Sequence, residues 1–201
     1  MKTTIKRQMR KEVNKGNALV RSEVVKNGLR GNTLSEMASR GVLFRVARGV
    51  YVPAAGSESE YFDYETAAKV VKNGVFTLRS ALRLHNFTDE NPLRMTIAIS
   101  ESSHAPKTTL PIDFVYMKNE LLTSDVVEFN SNGGTFSVFS VERTIVECFK
   151  ARRKIGIGIC VAALNEAVEN KQITKDTYLY ARWDRTCRMT RVMAPYLEGR
   201  I

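Results

Sequence analysis

The sequence predicts an α+β fold, with an N-terminal winged helix-turn-helix followed by a C-terminal domain in which a small β-sheet is packed by helices. Two short helical patterns separated by a turn lead directly into a hairpin pattern, which is typical of a winged helix. Further along, helical patterns precede and follow three strand patterns, as in α+β proteins. Small residues and breakers at 53–57 predict a linker. We therefore expect a winged-helix domain at 1–53 and a second domain at 58–201.

The 201-residue chain has an ordinary globular composition, with 43% hydrophobic and 26% charged residues. No stretch reaches the ~18 consecutive apolar residues of a membrane span, and the basic N-terminus lacks the apolar run of a signal peptide. We therefore expect a cytoplasmic protein that has no contact with a membrane. Cys148, Cys160 and Cys187 are too scattered for a disulfide framework or a zinc knuckle, so we expect buried thiols that act as small hydrophobic groups.

The net charge of +10 is distributed unevenly along the chain. Residues 1–53 hold twelve Lys and Arg against three Asp and Glu, which gives +9. Residues 54–142 hold seven against twelve, which gives −5, and residues 143–201 hold twelve against six, which gives +6. A basic segment at one end of a mixed chain is typical of a nucleic-acid-binding protein.

The helical part of the predicted winged helix lies between residues 4 and 41. Residues 4–14 and 18–27 have apolar positions at helical spacing, and the first of these segments has a basic opposite face. After a turn, Thr33 and Glu36 form the pattern of a capping box, and Gly41 is suited to end the helix that begins there. A helix, a short turn with glycine and a second helix place the second helix in the major groove of DNA, although an ordinary helical hairpin has the same pattern.

The hairpin pattern directly after these helices strengthens the interpretation. β-branched and aromatic residues at 42–46 and 50–52 flank a tight turn at 47–49, and a hairpin in this place is a wing. The alternative is a winged helix that is used only for protein contacts. The predicted DNA-binding residues lie on the first helix (Lys6, Arg10), in the turn (Arg30), on the second helix of the motif (Thr33, Ser35, Ser39, Arg40) and on the wing (Arg45, Arg48).

The rest of the chain alternates between helical and strand patterns. A helix is predicted before a short strand at 75–77, and three longer strands follow. The first two surround the loop 102–111, and the third is entered through Asn132, Gly133 and Gly134. The predicted helices are 61–73, 78–86, 141–152, 156–169 and 177–196, and the longer strands are 95–99, 112–117 and 135–139.

The sequence shows no recognisable catalytic motif. Phosphate-binding glycine loops, the G-x-S-x-G elbow and H-E-x-x-H are all absent. The only two histidines, His85 and His104, have no Cys, Asp or Glu at ligand spacing, and we expect His85 to be a satisfied structural histidine. We therefore predict a protein that is not an enzyme, with no cofactor, catalytic residue or metal site. A metal-dependent nuclease would need a cluster of the scattered carboxylates Asp89, Glu90, Asp113, Asp125 and Glu128, which we expect to be solvated.

Arginines recur every three residues near the C-terminus. This spacing winds slowly around a helix, so the arginines do not form one straight line. They provide either phosphate contacts, a surface for an acidic partner, or a charged solvent face with apolar residues turned inward. The arginines are Arg182, Arg185, Arg188 and Arg191.

Four segments resemble the AbiEi-type antitoxins of the bacterial abortive-infection AbiE systems. Residues 41–52 are similar to the wing of that family, and residues 78–89, followed by Pro92, are similar to its SAL-x-x-H-x-hydrophobic-T-D…P segment. Residues 140–149 are similar to its S-x-E-R-T-hydrophobic-x-D helix, with glutamate where aspartate is usual, and residues 195–197 also match. Together these segments span nearly the whole chain.

The resemblance implies a winged helix joined to an antitoxin domain. Such a protein represses its own operon by binding inverted repeats in the promoter, and it counteracts a nucleotidyltransferase-like toxin in phage defence. In these type IV systems toxin and antitoxin are not thought to form a stable complex. The expected partners are therefore double-stranded DNA and, functionally, a cognate toxin. The alternative is an ordinary winged-helix repressor whose C-terminal domain dimerises or senses an effector.

Overall fold

A computed structural model of the chain describes residue 13, residues 15–173 and residues 189–197. The chain divides into two compact units. The first unit comprises Met1–Gly74, Ser103–Pro111 and Asn130–Phe136, and the second comprises Val75–Ser102, Ile112–Phe129 and Ser137–Ile201. A domain boundary at 53–58 stays a prediction.

The first unit contains a small antiparallel sheet with helices. Strand order in the sheet is β1-β3-β2, and β2 and β3 form a hairpin. The elements are β1 Leu19–Val20, α1 Arg21–Lys26, α2 Thr33–Ser39, β2 Leu43–Ala47, β3 Val50–Pro53 and α3 Phe62–Val70.

Strand β1 corrects the helix predicted over 18–27. Leu19 pairs with Tyr51 and Val20 pairs with Val50, so the helix begins only at Arg21. Apolar residues at helical spacing cannot distinguish one helix from a two-residue strand that leads into a helix. The predicted helix over 4–14 lies outside the described residues, apart from the helical residue 13.

Helix α2 also begins differently from the prediction. The sequence pattern makes Thr33 the cap of this helix together with Glu36, but the N-cap is Asn32, so the predicted capping box is wrong. The Asn32 carbonyl accepts the Glu36 N–H at 2.9 Å, which closes the first turn one residue earlier, and the Asn32 amide donates to the Glu36 carboxylate at 2.6 Å. The Asn32 side chain accepts no hydrogen bond from a backbone N–H of the first turn, so this helix start has no side-chain cap.

Glycines end both helices. After α1, Gly28 has φ +82°, and the N–H groups of Gly28 and Leu29 bond back to the carbonyls of Val25 and Val24. Gly41 has φ +73° and ends α2 with the same pair of bonds. Left-handed backbone at this position favours glycine, because a side chain would be strained there. The core between these helices and the hairpin is Leu19, Val24, Leu34, Leu43 and Tyr51.

The buried carboxylate of Glu65, on helix α3, holds two distant parts of the first unit together, the segment at Ser59 and the turn at Gly133. Glu65 is only 4% exposed, and it accepts hydrogen bonds from the Ser59 hydroxyl at 2.9 Å and from the Gly133 N–H at 3.0 Å. A side chain at Gly133 would collide with the Glu65 carboxylate. These bonds satisfy a charged group that would otherwise be costly to bury.

The second unit contains a mixed sheet with helices. Strand order is β6-β5-β4-β8-β7, in which β4 is antiparallel to β5 and parallel to β8, and β5 is parallel to β6. Residues 130–136, at the turn between β7 and β8, belong to the first unit. The elements are β4 Val75–Phe76, α4 Leu78–Leu84, β5 Met95–Ser100, β6 Ile112–Met117, α5 Asn119–Leu122, β7 Val126–Ser131, β8 Gly134–Phe139, α6 Val141–Lys150, α7 Arg152–Ile155, α8 Ile157–Glu169 and α9 Met189–Leu197.

The α+β class is confirmed, and so are the predicted strands that correspond to β4, β5, β6 and β8. The sequence pattern misses strand β7 because it lies at the sheet edge, where most of its side chains are not buried and the apolar alternation is weak. The helix predicted over 141–152 ends at Lys150, and α7 follows it. Most of the helix predicted over 177–196, including three of its four arginines, lies outside the described residues, and so do the side chains of the fourth arginine and of Cys187.

The core of the second unit confirms two cysteine predictions and the role of one histidine. Cys148 and Cys160 are fully buried, and desolvation raises the pKa of both thiols. His85 Nε2 lies 2.7 Å from the Phe139 carbonyl oxygen, so this nitrogen carries the proton of a neutral ring. None of the helices in the described part of the chain is long and apolar enough to cross a membrane.

Candidate nucleic-acid interface

A groove of about 1480 Å³ in the first unit brings basic side chains together. Its apolar surface includes Val20, Val46 and Val50, which are buried by the packing of the hairpin. Among the described residues that line the groove there is no Asp or Glu, so its charge is positive throughout. We call it the basic groove, and its cations are Arg21, Lys26, Arg45, Arg48, Lys69, Lys72 and Lys107.

Arg21 links the hairpin tip to the turn before α2. Its backbone N–H donates to the Gly49 carbonyl at 2.7 Å. Its guanidinium lies against Gly31, where an added Cβ would come within 2.9 Å of Nη2. The first residue of α1 is therefore fixed between two turns, and its charge has a defined position in the groove.

A β-bulge shapes the hairpin. Arg45 pairs with Tyr51 and Ala47 pairs with Val50, so Val46 is the extra residue on β2. A bulge leaves one residue outside the ladder and bends the strand. Arg45 is exposed beside the bulge, and its Nε donates to the Ala47 carbonyl at 3.3 Å.

The bulged carbonyl is satisfied by a segment from far along the chain. The Val46 carbonyl accepts hydrogen bonds from the Thr108 hydroxyl at 2.9 Å and from the Thr109 N–H at 2.9 Å, and Thr108 forms a β-bridge with Ala47. Thr108 and Thr109 thus hold this segment against the edge of β2 through one isolated β-bridge and the bonds to Val46. The segment brings Lys107, whose side chain is exposed, into the basic groove.

Helix α3 and the residues after it supply two lysines of the basic groove. Lys69 donates from Nζ to the Ala18 carbonyl at 2.7 Å, which holds its ammonium group at the start of β1. Lys72 follows the helix and is exposed. Sequence reasoning did not name these two lysines or Lys107 among the DNA-binding residues, because they lie in the stretch with a net charge of −5, where no local pattern connects them to the hairpin. It also did not name Arg21 and Lys26, the first and last residues of α1, although both lie in the segment with a charge of +9.

The structure brings only some of the predicted DNA-binding residues into the groove. Ser35, Arg45 and Arg48 line it. Lys6 and Arg10 lie outside the described residues. Four others lie in the same unit but outside the lining of the groove: Arg30, Thr33, Ser39 and Arg40.

The exposed face of α2 is polar. Ser35 and Ser39 donate from their hydroxyls to backbone carbonyls one turn earlier, at 2.8 Å each. Each hydroxyl oxygen still has lone pairs that can accept a hydrogen bond. Asn32 and Glu36 are exposed on the same face, and both offer acceptor atoms of the kind that pairs with base amino groups.

The carboxylates considered for a metal site do not gather. Among the described residues, no three His, Cys, Asp or Glu side chains lie together in a way that could hold a metal ion. Asp113 instead pairs with Arg94 at 2.7 Å, with both side chains more than half exposed.

Comparison with known proteins supports the fold at the level of architecture. No protein-family model matches the sequence, and no curated protein does either. The chain is similar in structure to the RV2827C protein from Mycobacterium tuberculosis, known from a crystal structure, with a TM-score of 0.60 and 12% sequence identity. The similarity covers 99% of this chain and 72% of the other. At this identity it shows a shared fold and nothing about function.

Proposed function

We propose that the first unit contains a winged helix-turn-helix and that it binds double-stranded DNA through the basic groove and helix α2. The order β1, α1, α2, β2, β3 supports the winged helix, because β1 completes a three-stranded sheet with the hairpin. The single observation that carries the proposal is the basic groove itself, with seven cations and no carboxylate among its described lining residues. Clustered cations without counter-charges bind the phosphates of nucleic acid.

In the proposed complex, two surfaces have different tasks. The cations of the basic groove contact phosphates, which sets affinity and register but reads no sequence. The polar face of α2 enters the major groove, where Ser35 and Arg40 and the acceptors of Asn32 and Glu36 face base edges. Arg48 at the hairpin tip contacts a flanking phosphate or a minor groove.

For the biological role we propose an antitoxin of the AbiEi type, on the strength of the sequence resemblance to that family. It acts in the cytoplasm, binds inverted repeats in its own promoter and represses a toxin–antitoxin operon. It also counteracts a nucleotidyltransferase-like toxin without forming a stable complex with it. The protein performs no catalysis itself in this proposal.

DNA binding is tested by fluorescence anisotropy on a duplex that carries the promoter upstream of the gene. Arg45→Ala and Arg48→Ala should each weaken binding and reduce the slope of log K against log salt concentration by about 0.9. The matched control is Lys171→Asn, which removes an exposed charge in the second unit at φ +57°, a backbone conformation that asparagine tolerates. Unchanged slopes for both arginine variants would contradict the proposed interface.

The antitoxin role is tested by co-expression of the full chain with the product of the neighbouring gene. Rescue of growth is the expected result. The chain carrying Arg45→Ala and Arg48→Ala together should lose promoter repression and retain rescue, if toxin neutralisation does not depend on DNA binding. A chain that represses its promoter but rescues no cells would instead be an ordinary repressor.

A further inference from the structure

A second, smaller cavity of about 540 Å³ lies in the second unit. It is lined by four cationic side chains and one carboxylate. The cations are Lys150, Arg152, Arg153 and Lys154, and the carboxylate is that of Glu147. We call it the anion pocket. It shares no residue with the basic groove, and no sequence motif for a ligand site marks it.

Thr77 provides the most specific feature of the anion pocket. It is fully buried, lines the pocket and is the N-cap residue of α4. A threonine in this place ordinarily accepts a hydrogen bond from an N–H of the first helical turn. Here its side chain makes no such bond, and its hydroxyl has no hydrogen-bond partner in the described part of the chain. A buried hydroxyl without a partner reduces stability, so an unpartnered hydroxyl at the wall of a pocket points to a ligand.

The carboxylate in the pocket is already neutralised. Glu147 Oε1 lies 2.8 Å from Arg143 Nη2 and 2.9 Å from Lys150 Nζ, so two cations share one acidic group. Arg152 donates from Nη1 to the Phe149 carbonyl at 3.0 Å.

Two cations then remain at the rim. No hydrogen bond or ion pair joins Arg153 or Lys154 to another side chain within the described ranges, and both side chains are exposed. They are therefore available to an anion without breaking an existing contact. Both line the anion pocket, and a guanidinium and an ammonium group in one pocket are suited to a phosphate, which accepts several charge-assisted hydrogen bonds.

The remaining wall of the anion pocket is apolar, with Leu78, Val115 and Met117 in it. A pocket of about 300–1,000 Å³ with an apolar wall and a few polar groups has the dimensions of a small-molecule site.

We propose that the anion pocket binds a phosphorylated small molecule of mononucleotide size. Its phosphate contacts Arg153 and Lys154, its apolar or aromatic part packs on Leu78 and Met117, and one of its polar atoms bonds to the Thr77 hydroxyl. The proposal goes beyond DNA binding and does not depend on it.

The test is isothermal titration of the full chain with each of the four ribonucleoside monophosphates, and with inorganic phosphate alongside. At least one nucleotide should bind saturably and more tightly than inorganic phosphate. The double variant Arg153→Ala, Lys154→Ala should weaken this binding at least about tenfold, as expected when two phosphate contacts are lost. Lys171→Asn, which removes an exposed charge of the same unit, should leave it unchanged.

Thr77→Val is the second, independent variant, because it preserves the shape of the side chain and removes only the hydroxyl. It should weaken nucleotide binding several-fold and at the same time raise the Tm of the free protein, since no partner is lost. The proposal is overturned if no nucleotide binds saturably, or if binding survives the Arg153 and Lys154 substitutions. It is also overturned if Thr77→Val lowers the Tm, because the hydroxyl would then have a structural role.

Discussion

Lys107 provides the sharpest test of how the basic groove is assembled. It lies 59 positions after Arg48 in the sequence, yet both line the same groove. If all seven groove cations contact phosphates, the slope of log K against log salt concentration is about −6.3, and affinity falls roughly 6,000-fold between about 50 and 200 mM salt. Without Lys107 the slope is about −5.4, and the fall is roughly 1,800-fold. We therefore predict that Lys107→Ala makes the slope less negative by about 0.9. The loss of affinity between the two salt concentrations should then be roughly 1,800-fold instead of roughly 6,000-fold.

The assay is fluorescence anisotropy on the promoter duplex at five or more salt concentrations. Thermal melting should show the same Tm for Lys107→Ala and wild type, because the Lys107 side chain is exposed and the bonds from Thr108 and Thr109 to Val46 remain. A slope equal to the wild-type slope would remove Lys107 from the interface. A wild-type slope shallower than about −3 would show that most groove cations do not contact phosphates, which would refute the proposed interface as a whole.

Two further predictions concern stability. Gly133→Ala should lower the free energy of unfolding by about 1–3 kcal/mol, since the new Cβ collides with Glu65. Gly158→Ala, in open space on α8, should raise the free energy of unfolding by about 0.5–1 kcal/mol. Urea unfolding measures both variants, and changes of the same sign would contradict the packing at Gly133. Burial lowers the pKa of His85 below its usual 6.5, more than the Phe139 carbonyl and Glu142 raise it, so the unfolded chain binds the proton more tightly. The stability of the folded protein should therefore fall as the pH drops below about 6.5. His85→Gln should lose less Tm than the wild type between about pH 7 and pH 5. An equal loss of Tm in both proteins would contradict the assigned role of His85.

The sequence predicted the hairpin well because its signals are local. Alternating β-branched and aromatic residues on both sides of a tight turn define two paired strands within eleven residues, and Gly49 supplies φ +78° at the turn. The same holds for the strands β5 and β6, whose apolar residues lie next to one another in the chain. For the hairpin the pattern and the partner are both local, whereas for β5 and β6 the pattern predicts the two strands but not their parallel pairing.

The features that were missed depend on partners far away in the sequence. Leu19 and Val20 form a strand only because β3, about thirty residues later, pairs with them. Helix α2 begins after Asn32 rather than after Thr33, and since both residue types suit the position, the sequence pattern does not distinguish the two starts. The groove lysines of α3 and the Lys107 segment lack any local signal, since their role follows from tertiary placement alone.

The bulge at Val46 explains why a distant segment belongs to the groove. An extra residue in β2 takes its carbonyl out of the ladder, and an unpaired carbonyl on a partly buried edge needs a donor. Thr108 and Thr109 provide that donor, and by doing so they fix the backbone next to Lys107. Lys107 is one of three groove cations that come from beyond residue 53, in a stretch whose net charge is −5, and the other two are Lys69 and Lys72. Charge segregation along the sequence therefore marks where the proposed nucleic-acid interface begins, while contacts between distant segments add the rest: the bonds of Val46 bring in Lys107, and helix α3 carries Lys69 to the start of β1.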